Sequence, residues 1–329
     1  MSWSGKRVLV TGAGGFIGSH LTERLLALGA SVRAFVRYNS RNSVGFLEGL
    51  TPSQGQLEIV NGTVAEFESV QAAVQDCEVV FHLAALIGIP YSYTHPREVV
   101  ETNTVGTLNV LLASRAANVE RLLITSTSEV YGTALYVPID EQHPLQAQSP
   151  YAASKIAADK IAESFYRAFT LPVTIVRPFN TYGPRQSLRA VIPTIIGQAL
   201  REDVVRLGSL SPTRDFTFVE DTVEGFIKAA ESPQAIGEMV NLGSNYEIAI
   251  GDVAQRIIAL SGRSVRLEQD PQRLRPQGSE VNRLWSNNAK AKALMDWSPA
   301  VSLDDGLRRT IDWVKTMLPQ ETEVTRYHV

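Results

Sequence analysis

The residues with the clearest chemical potential lie in TSTSEVYG, residues 125–132. This segment follows the apolar run Leu122–Ile124, which is typical of a buried strand. Side chains with hydroxyl and carboxyl groups are seldom fully buried in a protein core. Thr127, Ser128 and Glu129 are therefore candidates for hydrogen-bonding and acid–base chemistry. In extended backbone, Thr127 and Glu129 would share one face, because side chains alternate along a strand. The alternative is that Glu129 is a surface carboxylate in a turn.

A second reactive pair, Tyr151 and Lys155, is four residues apart in SPYAASK. Ser149 and Pro150 are typical of the N-cap and first position of a helix, and residues four apart share a helix face. A nearby ammonium and a helix N-terminus both favour a phenolate, so we expect the pKa of Tyr151 to fall toward the working range. The alternative is an ordinary surface pair, since this spacing also arises by chance.

Three glycines, Gly12, Gly15 and Gly18, recur at intervals of three in VLVTGAGGFIGSHL. They follow a predicted strand and open a predicted helix. Glycine allows a tight turn and a close approach to a pyrophosphate, and the helix N-terminus offers free N–H groups to the phosphates. The motif therefore predicts a dinucleotide site, with a glycine-rich turn that binds no ligand as the alternative.

The ribose end of this dinucleotide site has an unusual charge. No acid occurs between Glu23 and Glu48, although NAD-specific sites usually place one about 20 residues after the glycines. The stretch instead contains Arg33, Arg37 and Arg41. Either Arg37 or Arg41 would suit a 2′-phosphate, which slightly favours NADP over NAD. The alternative is that these arginines are solvated surface charges.

The elements that position these groups alternate between short apolar strands and longer amphipathic helices. This order predicts an α/β fold with a Rossmann-like, doubly wound parallel sheet. After residue 178 proline and glycine become frequent, which indicates a smaller, partly interleaved α/β substrate-binding domain. We expect a dinucleotide-binding domain over 1–178, with parts of 215–245 returning to it. The second domain would comprise 179–214 and 246–329.

Composition excludes several other classes of protein. The net charge is −3 and the basic residues form no block, which argues against nucleic-acid binding. No apolar run reaches the roughly 18 residues of a membrane span. The chain enters a predicted strand directly, so we expect no signal peptide. The single cysteine, Cys77, suits a reducing compartment, so we expect a cytoplasmic protein. The scattered histidines predict no metal site.

Taken together, these motifs resemble the extended short-chain dehydrogenase/reductase family that acts on nucleotide sugars. The resemblance covers essentially the whole chain. It also includes further segments where the family carries similar ones: HLAA (82–85), ETNTVGT (101–107), RPFNTYGPR (177–185), RDFTFVED (214–221) and VNLGSN (240–245). Among members, the chain is most similar to NAD-dependent 4,6-dehydratases acting on nucleotide-linked N-acetylglucosamine, of the legionaminic or bacillosamine pathway type.

This resemblance implies oxidation at C4 of the sugar, loss of water across C5 and C6, and return of the hydride to C6. Thr127 would bond the 4-hydroxyl, Tyr151 would take its proton, and Lys155 would hold the nicotinamide ribose and tune Tyr151. Elimination needs a base at C5, and we assign it to Glu129. Many such dehydratases carry an aspartate where this chain has Ser128. We therefore expect Glu129 to return the proton to the leaving hydroxyl, with Ser128 orienting that hydroxyl or a water.

The resemblance also implies the residues around the ligands. Cofactor-binding residues would be Gly12, Gly15, Phe16, Ile17, Gly18, Arg37, Thr63, Val64, Leu83, Ala84, Ala85, Asn103, Tyr151 and Lys155. Thr63 stands where the family often has an aspartate on the adenine, which puts that contact in doubt. Substrate-binding residues would be Tyr93, Asn180, Arg189, Val191, Leu207, Arg214 and Arg275. The family commonly dimerises through two helices per subunit, here around 98–117 and 150–169, so we expect a homodimer.

Other functions remain open at this stage. The Thr–Ser–Glu triplet also resembles UDP-glucuronate decarboxylases, whose pocket should supply a cation, from Arg185, Arg189 or Arg214, for the sugar carboxylate. The segments 84–93, 187–196 and 208–218 are more similar to the amino-sugar dehydratases. A 4-epimerase, a 5,6-dehydratase and a non-enzymatic dinucleotide sensor are further alternatives. UDP is the expected nucleotide, with GDP and CDP not excluded.

Overall fold

The structure is a computed structural model that describes residues 1–51, 55–274 and 276–318. Its centre is a parallel sheet of seven strands. The strands are β1 (Arg7–Thr11), β2 (Ser31–Val36), β3 (Leu57–Asn61), β4 (Val79–His82), β5 (Arg121–Thr125), β6 (Val173–Pro178) and β10 (Met239–Leu242). Most of these strands are apolar and buried, as expected for a parallel sheet covered on both faces.

The order across this sheet is β10-β6-β5-β4-β1-β2-β3. The order of connection reverses between β1 and β4, which defines a switch point where the carboxyl ends of neighbouring strands diverge. The glycine motif follows β1, the HLAA segment continues from β4, and the Thr–Ser–Glu segment follows β5. The predicted doubly wound α/β fold is confirmed.

Helices cover both faces of the sheet. They include α1 (Phe16–Ala27), α2 (Phe67–Val74), α5 (Gly106–Ala116), α6 (Pro150–Phe169) and α8 (Val219–Glu231). The short helices α3 (Ile89–Thr94) and α4 (Pro96–Val100) lead into α5 through a π-helical turn at Glu101–Val105. The sequence predicted one long helix here, and the structure divides it at this turn.

The rest of the chain builds two smaller sheets and their helices. One sheet joins β7 (Asn180–Tyr182), β9 (Thr213–Phe218) and β11 (Glu247–Ala249), and the other joins β8 (Val204–Leu207) to β12 (Arg266–Gln269). The helices are α7 (Val191–Arg201), α9 (Ile250–Ser261), α10 (Ala289–Met295) and α11 (Leu303–Met317). Strand β10 returns to the central sheet beside β6, so the two parts interleave. The domain boundaries themselves stay a prediction.

Candidate active site

The glycine loop leaves no room for a side chain at Gly12 or Gly18. Gly12 has φ +70°, and a Cβ there would lie 2.9 Å from the Ala84 amide nitrogen. A Cβ on Gly18 would lie 2.2 Å from the Gly12 carbonyl oxygen. Gly15 is exposed and caps α1 without a side-chain hydrogen bond, so the first turn of the helix keeps free amides. This cradle fits the pyrophosphate of a dinucleotide.

The arginines after β1 have different environments. Arg33 bonds Glu58 and the carbonyl oxygens of Ala73 and Gln75, so its role is structural. The Arg37 side chain is 75% exposed, and its guanidinium lies 3.7 Å from the Glu98 carboxylate. The proposed contact of Arg37 with a 2′-phosphate therefore competes with this ion pair.

The segment after β5 does not continue as a strand. Residues Ser128–Tyr131 form a turn of 3₁₀-helix, and the Thr127 hydroxyl caps it by accepting the Glu129 amide at 3.2 Å. The expectation that Thr127 and Glu129 share a face through extended backbone is therefore wrong. The reason is the hydroxyl of Thr127, which offers the backbone a local partner and ends the strand. Ser128 is buried.

Glu129 and Tyr151 nevertheless converge. The Glu129 side chain is partly buried. Burial is the main cause of the raised pKa of the Tyr151 phenol, and the negative charge of Glu129 adds to it. Among the described residues, no donor or cation pairs with the Glu129 carboxylate. The Thr127 hydroxyl bonds the Tyr151 side chain and acts in the opposite direction. A hydroxyl, a phenol and a free carboxylate therefore meet at the carboxyl end of β5.

Burial, rather than the ammonium of Lys155, has the largest effect on the pKa of the Tyr151 phenol. It raises the pKa of Tyr151, so the predicted fall in this pKa is wrong for the structure described. The two side chains share a helix face as predicted, but Lys155 Nζ donates to the carbonyl oxygen of Thr125 at 2.6 Å. Burial also lowers the pKa of Lys155 to about 8.

Beneath this pair lies a buried ion pair that the sequence analysis did not identify. Asp159 Oδ2 accepts Arg177 Nε and Nη2, at 3.1 and 2.8 Å, and the Ser126 hydroxyl at 2.8 Å. Arg177 also donates to the Tyr131 hydroxyl, which donates to Asn241. The usable signal was the spacing, because Asp159 follows Lys155 by one helical turn.

A chain of buried polar side chains links the glycine loop to α6. The Thr11 hydroxyl accepts the amides of Leu83 and Ala84, so its hydrogen points to His82 Nδ1, 2.8 Å away. His82 Nε2 then carries the ring hydrogen and donates to Thr107 at 3.1 Å, and Thr107 donates to the Asn103 carbonyl. Burial lowers the pKa of His82 to about 3, which keeps the ring neutral.

Asn103 continues this chain rather than facing a ligand. It is fully buried, and its side chain bonds both the N–H and the C=O of Leu86. Its amide also donates to Ser154, which in turn bonds the Tyr151 carbonyl. Asn103 therefore fixes the segment after β4, and its assignment as a direct cofactor contact stays a prediction.

The remaining predicted cofactor residues line the edge of the sheet. Six of them follow the carboxyl ends of β1, β3 and β4 and are partly buried. They are Phe16, Ile17, Thr63, Leu83, Ala84 and Ala85. Val64 instead belongs to the core beneath α5, where its side chain lies against Gly106. Its carbonyl oxygen accepts the Asn109 amide. A role for Val64 in binding the cofactor would have to come from its backbone.

The predicted substrate residues are only partly brought together. Asn180 keeps a buried side-chain oxygen without a hydrogen-bond partner among the described residues, which suits a donor from a ligand. Tyr93 donates to or accepts from Ser279, and Arg214 lies 3.5 Å from Glu280. Leu207 is buried in the core.

Four further residues were predicted as candidates for binding the substrate. Val191 is partly buried at the start of α7, and Arg189 is exposed just before it. Arg275 lies outside the described residues. Arg185, a candidate for holding a sugar carboxylate, pairs with Glu23 on α1 at 2.7 Å.

Two negative findings concern the described parts of the chain. No helix within residues 1–51, 55–274 and 276–318 is long and apolar enough to cross a membrane. In the same ranges, no group of three or more His, Cys, Asp or Glu side chains is arranged to hold a metal ion.

Comparison with known proteins identifies the class. Residues 9–310 match the family model described as GDP-mannose 4,6 dehydratase. The chain is 35% identical over 321 residues to the UDP-N-acetyl-alpha-D-glucosaminuronate decarboxylase of Bacillus cytotoxicus, covering 94% of this chain and 98% of that protein. It is 30% identical to the dTDP-D-glucose 4,6-dehydratase of Homo sapiens, covering 94% and 90%.

A solved structure agrees with these relatives. The UDP-glucuronic acid 4-epimerase of Bacillus cereus, in complex with UDP-glucuronic acid and NAD, superposes with a TM-score of 0.87 at 29% identity, covering 94% of this chain and 99% of that one. The chain belongs to the extended short-chain dehydrogenase/reductase family. Within that family it is an enzyme of the group that modifies nucleotide sugars.

Proposed function

We propose that the enzyme is a 4,6-dehydratase that converts UDP-linked N-acetylglucosamine to its 4-keto-6-deoxy form. The observation that carries this proposal is the Glu129 carboxylate. It is partly buried, it has no partner among the described residues, and its charge acts on Tyr151. Elimination across C5 and C6 requires a base at C5, whereas a 4-epimerase, which only turns the ketone over, does not.

The side chains divide the reaction as follows. Tyr151 must be ionised to accept the proton of the 4-hydroxyl, which Thr127 orients. Burial opposes this ionisation, and the positive charge of an oxidised nicotinamide would favour it once the dinucleotide is bound. The phenol then releases the proton to solvent. The resulting 4-ketone makes the C5 proton acidic, and Glu129 removes it. Glu129 then protonates the departing 6-hydroxyl, which leaves as water, and a solvent-derived proton ends at C5. The bound dinucleotide supplies the hydride acceptor at C4 and the hydride donor at C6.

The charges around the phenol favour a neutral group at C6. The groups that act on the pKa of Tyr151 include two anions, Glu129 and Asp159, and no cation of the described residues. A uronate substrate would bring a third anion into this site. Arg185 pairs with Glu23 and Arg214 with Glu280, so these two cation candidates already have acidic partners. The third candidate, Arg189, is exposed just before α7. The two paired arginines and the two anions near Tyr151 support dehydration over decarboxylation.

The nucleotide and the cofactor belong to the same proposal. The side-chain oxygen of Asn180 would accept a hydrogen bond from a hydroxyl or N–H group of the substrate, and UDP is the nucleotide we propose. For the cofactor we propose NAD, because Arg37, one of the two candidates for a 2′-phosphate, pairs with Glu98, and the similar epimerase structure contains NAD. This proposal replaces the slight preference for NADP that the missing acid after β2 suggested. Mass spectrometry of the dinucleotide that co-purifies with the protein distinguishes NAD from NADP.

The reaction is tested with UDP-N-acetylglucosamine in heavy water. We expect a 4-keto-6-deoxy product that carries solvent deuterium at C5, detected by NMR and mass spectrometry. UDP-glucose, UDP-glucuronate and the GDP- and CDP-linked N-acetylglucosamines are run in parallel. Release of carbon dioxide from UDP-glucuronate, or a 4-epimer without loss of water, would replace dehydration with the corresponding alternative.

A further inference from the structure

Asp159 stands out among the buried charges because the catalytic steps above do not use it. Its carboxylate is fully buried on α6, and Oδ2 receives Ser126 and both donors from Arg177. The other oxygen, Oδ1, is buried with no hydrogen-bond partner among the described residues. A purely structural ion pair would gain from using both oxygens, since unpaired buried acceptors are costly.

The position of Asp159 relates it to the reacting groups. Lys155 and Asp159 are one turn apart on the same face of α6. They hold successive residues at the end of β5: Lys155 bonds the Thr125 carbonyl, and Asp159 bonds the Ser126 hydroxyl. The next residue is Thr127, which caps the turn that carries the base.

We propose that Asp159 is a positioning residue of the hydride-transfer site, which fixes the end of β5 through Ser126 and holds the positive charge on Lys155. The Lys155 ammonium needs a nearby negative charge. Lys155 is buried, and burial alone disfavours its ammonium form. This inference rests on the hydride-transfer step of the proposed function and not on the loss of water that follows.

The surroundings of Lys155 support this role. Its pKa is lowered by burial to about 8, and the Asp159 charge opposes that fall. The other titratable groups near Lys155 are Tyr151, one turn earlier on α6, His82 at the end of β4, Arg177 from β6 and Glu129 from the 3₁₀ turn. Of the groups in the described structure, only Asp159 acts by charge on the pKa of Lys155.

Two matched variants separate the charge from the hydrogen bond. Asp159→Asn keeps an acceptor oxygen for Ser126 and removes the charge, whereas Ser126→Ala removes the hydrogen bond and keeps the charge. The measurement is the titration of Lys155 by NMR in dinucleotide-bound protein labelled with ¹³C at the lysine ε-carbons. Lys155→Arg assigns the resonance. This readout requires no substrate, so it remains interpretable if the dehydratase assay fails.

We expect Asp159→Asn to lower the titration midpoint of Lys155 by about one pH unit, as loss of a close opposite charge does. At pH 8 the protonated fraction would then fall from about one half to about one eleventh, and the rate of nicotinamide reduction by about fivefold. Ser126→Ala should slow reduction without moving the midpoint. An unchanged midpoint in folded Asp159→Asn overturns the proposal.

A variant that fails to fold does not end the test. Asp159→Asn combined with Arg177→Gln leaves no unpaired buried charge, and neutral replacement of a buried ion pair is often tolerated. Arg177 does not act on the pKa of Lys155, so the double variant should show the same shift as Asp159→Asn. A wild-type midpoint in the folded double variant would equally overturn the role of Asp159.

Discussion

At the scale of single residues, the proposed function depends most on the carboxylate of Glu129, which has no partner among the described residues. Glu129→Gln keeps the size of the side chain but cannot accept the C5 proton. We expect oxidation at C4 to continue and the turnover of the whole reaction to fall by about 10²- to 10⁴-fold, the usual contribution of a positioned acid–base group. Reduced nicotinamide should accumulate, measured by its near-ultraviolet absorbance in a single-turnover experiment.

Ser128→Ala is the comparison for this prediction. Ser128 is buried beside Glu129, but a hydroxyl is no strong general acid. If Ser128 only orients the leaving hydroxyl or a water, Ser128→Ala removes one hydrogen bond. The loss of one hydrogen bond should slow turnover less than tenfold. Normal turnover in Glu129→Gln would show that the base is another group.

The same residues show what sequence can and cannot predict at this scale. Residue type and spacing predicted Tyr151, Lys155 and Glu129 as site residues, and in the structure the Glu129 carboxylate is near enough to act by charge on the Tyr151 phenol. The direction of the Tyr151 pKa was wrong because it depends on burial and on where Lys155 Nζ points. The spacing does not contain either quantity, and the ammonium is bonded to Thr125.

At the scale of elements, the site depends on the buried chain that joins β1, β4 and the helices. Thr107→Val keeps the shape of the side chain and leaves His82 Nε2 without its acceptor. Thr107 is fully buried, so we expect the free energy of unfolding to fall by about 1–3 kcal/mol. Urea denaturation followed by circular dichroism measures this change.

The chain offers a matched control for this substitution. Thr22 is equally buried, and its hydroxyl has no partner among the described residues. Thr22→Val should therefore leave the free energy of unfolding unchanged or raise it. Equal losses in the two variants would mean that the cost comes from the hydroxyl-to-methyl exchange and not from the chain through His82.

Sequence patterns predicted the strands and helices better than their interruptions. The π turn at Glu101–Val105 reads as continuous helix, because one extra residue barely disturbs an apolar period of 3.6. The 3₁₀ turn after β5 was read as strand for a related reason. A capping hydroxyl at Thr127 and a strand side chain look the same in sequence, and the backbone decides between them.

At the scale of the whole molecule, the alternation of elements was enough to predict the parallel sheet but not the second part of the chain. There β7 and β11 have only three residues each, too few for a period to be recognised. Their pairing with β9 is parallel on one side and antiparallel on the other. Such contacts depend on long-range packing, which propensity does not encode.

The whole molecule also presents an apolar helical face that supports the proposed homodimer. Val100, Val105 and Leu112 are each about 40% exposed along the run from α4 to α5. Val105 and Leu112 are seven residues apart, so they lie on one face. On α6, Tyr166 and Phe169 are similarly exposed. An unpartnered face of this kind is typical of an interface, and the occupant that we propose is a second copy of the chain.

Leu112→Asp places a charge in the centre of this face and should convert a dimer to a monomer. The measurement is multi-angle light scattering after size-exclusion chromatography. Leu135→Asp is the control, because Leu135 is 65% exposed and lies on a loop rather than on either helix. We expect Leu135→Asp to keep the mass of the parent protein. A Leu112→Asp protein that keeps the dimer mass would show that the interface lies elsewhere. A parent protein that is already monomeric would show that the chain does not form the proposed dimer.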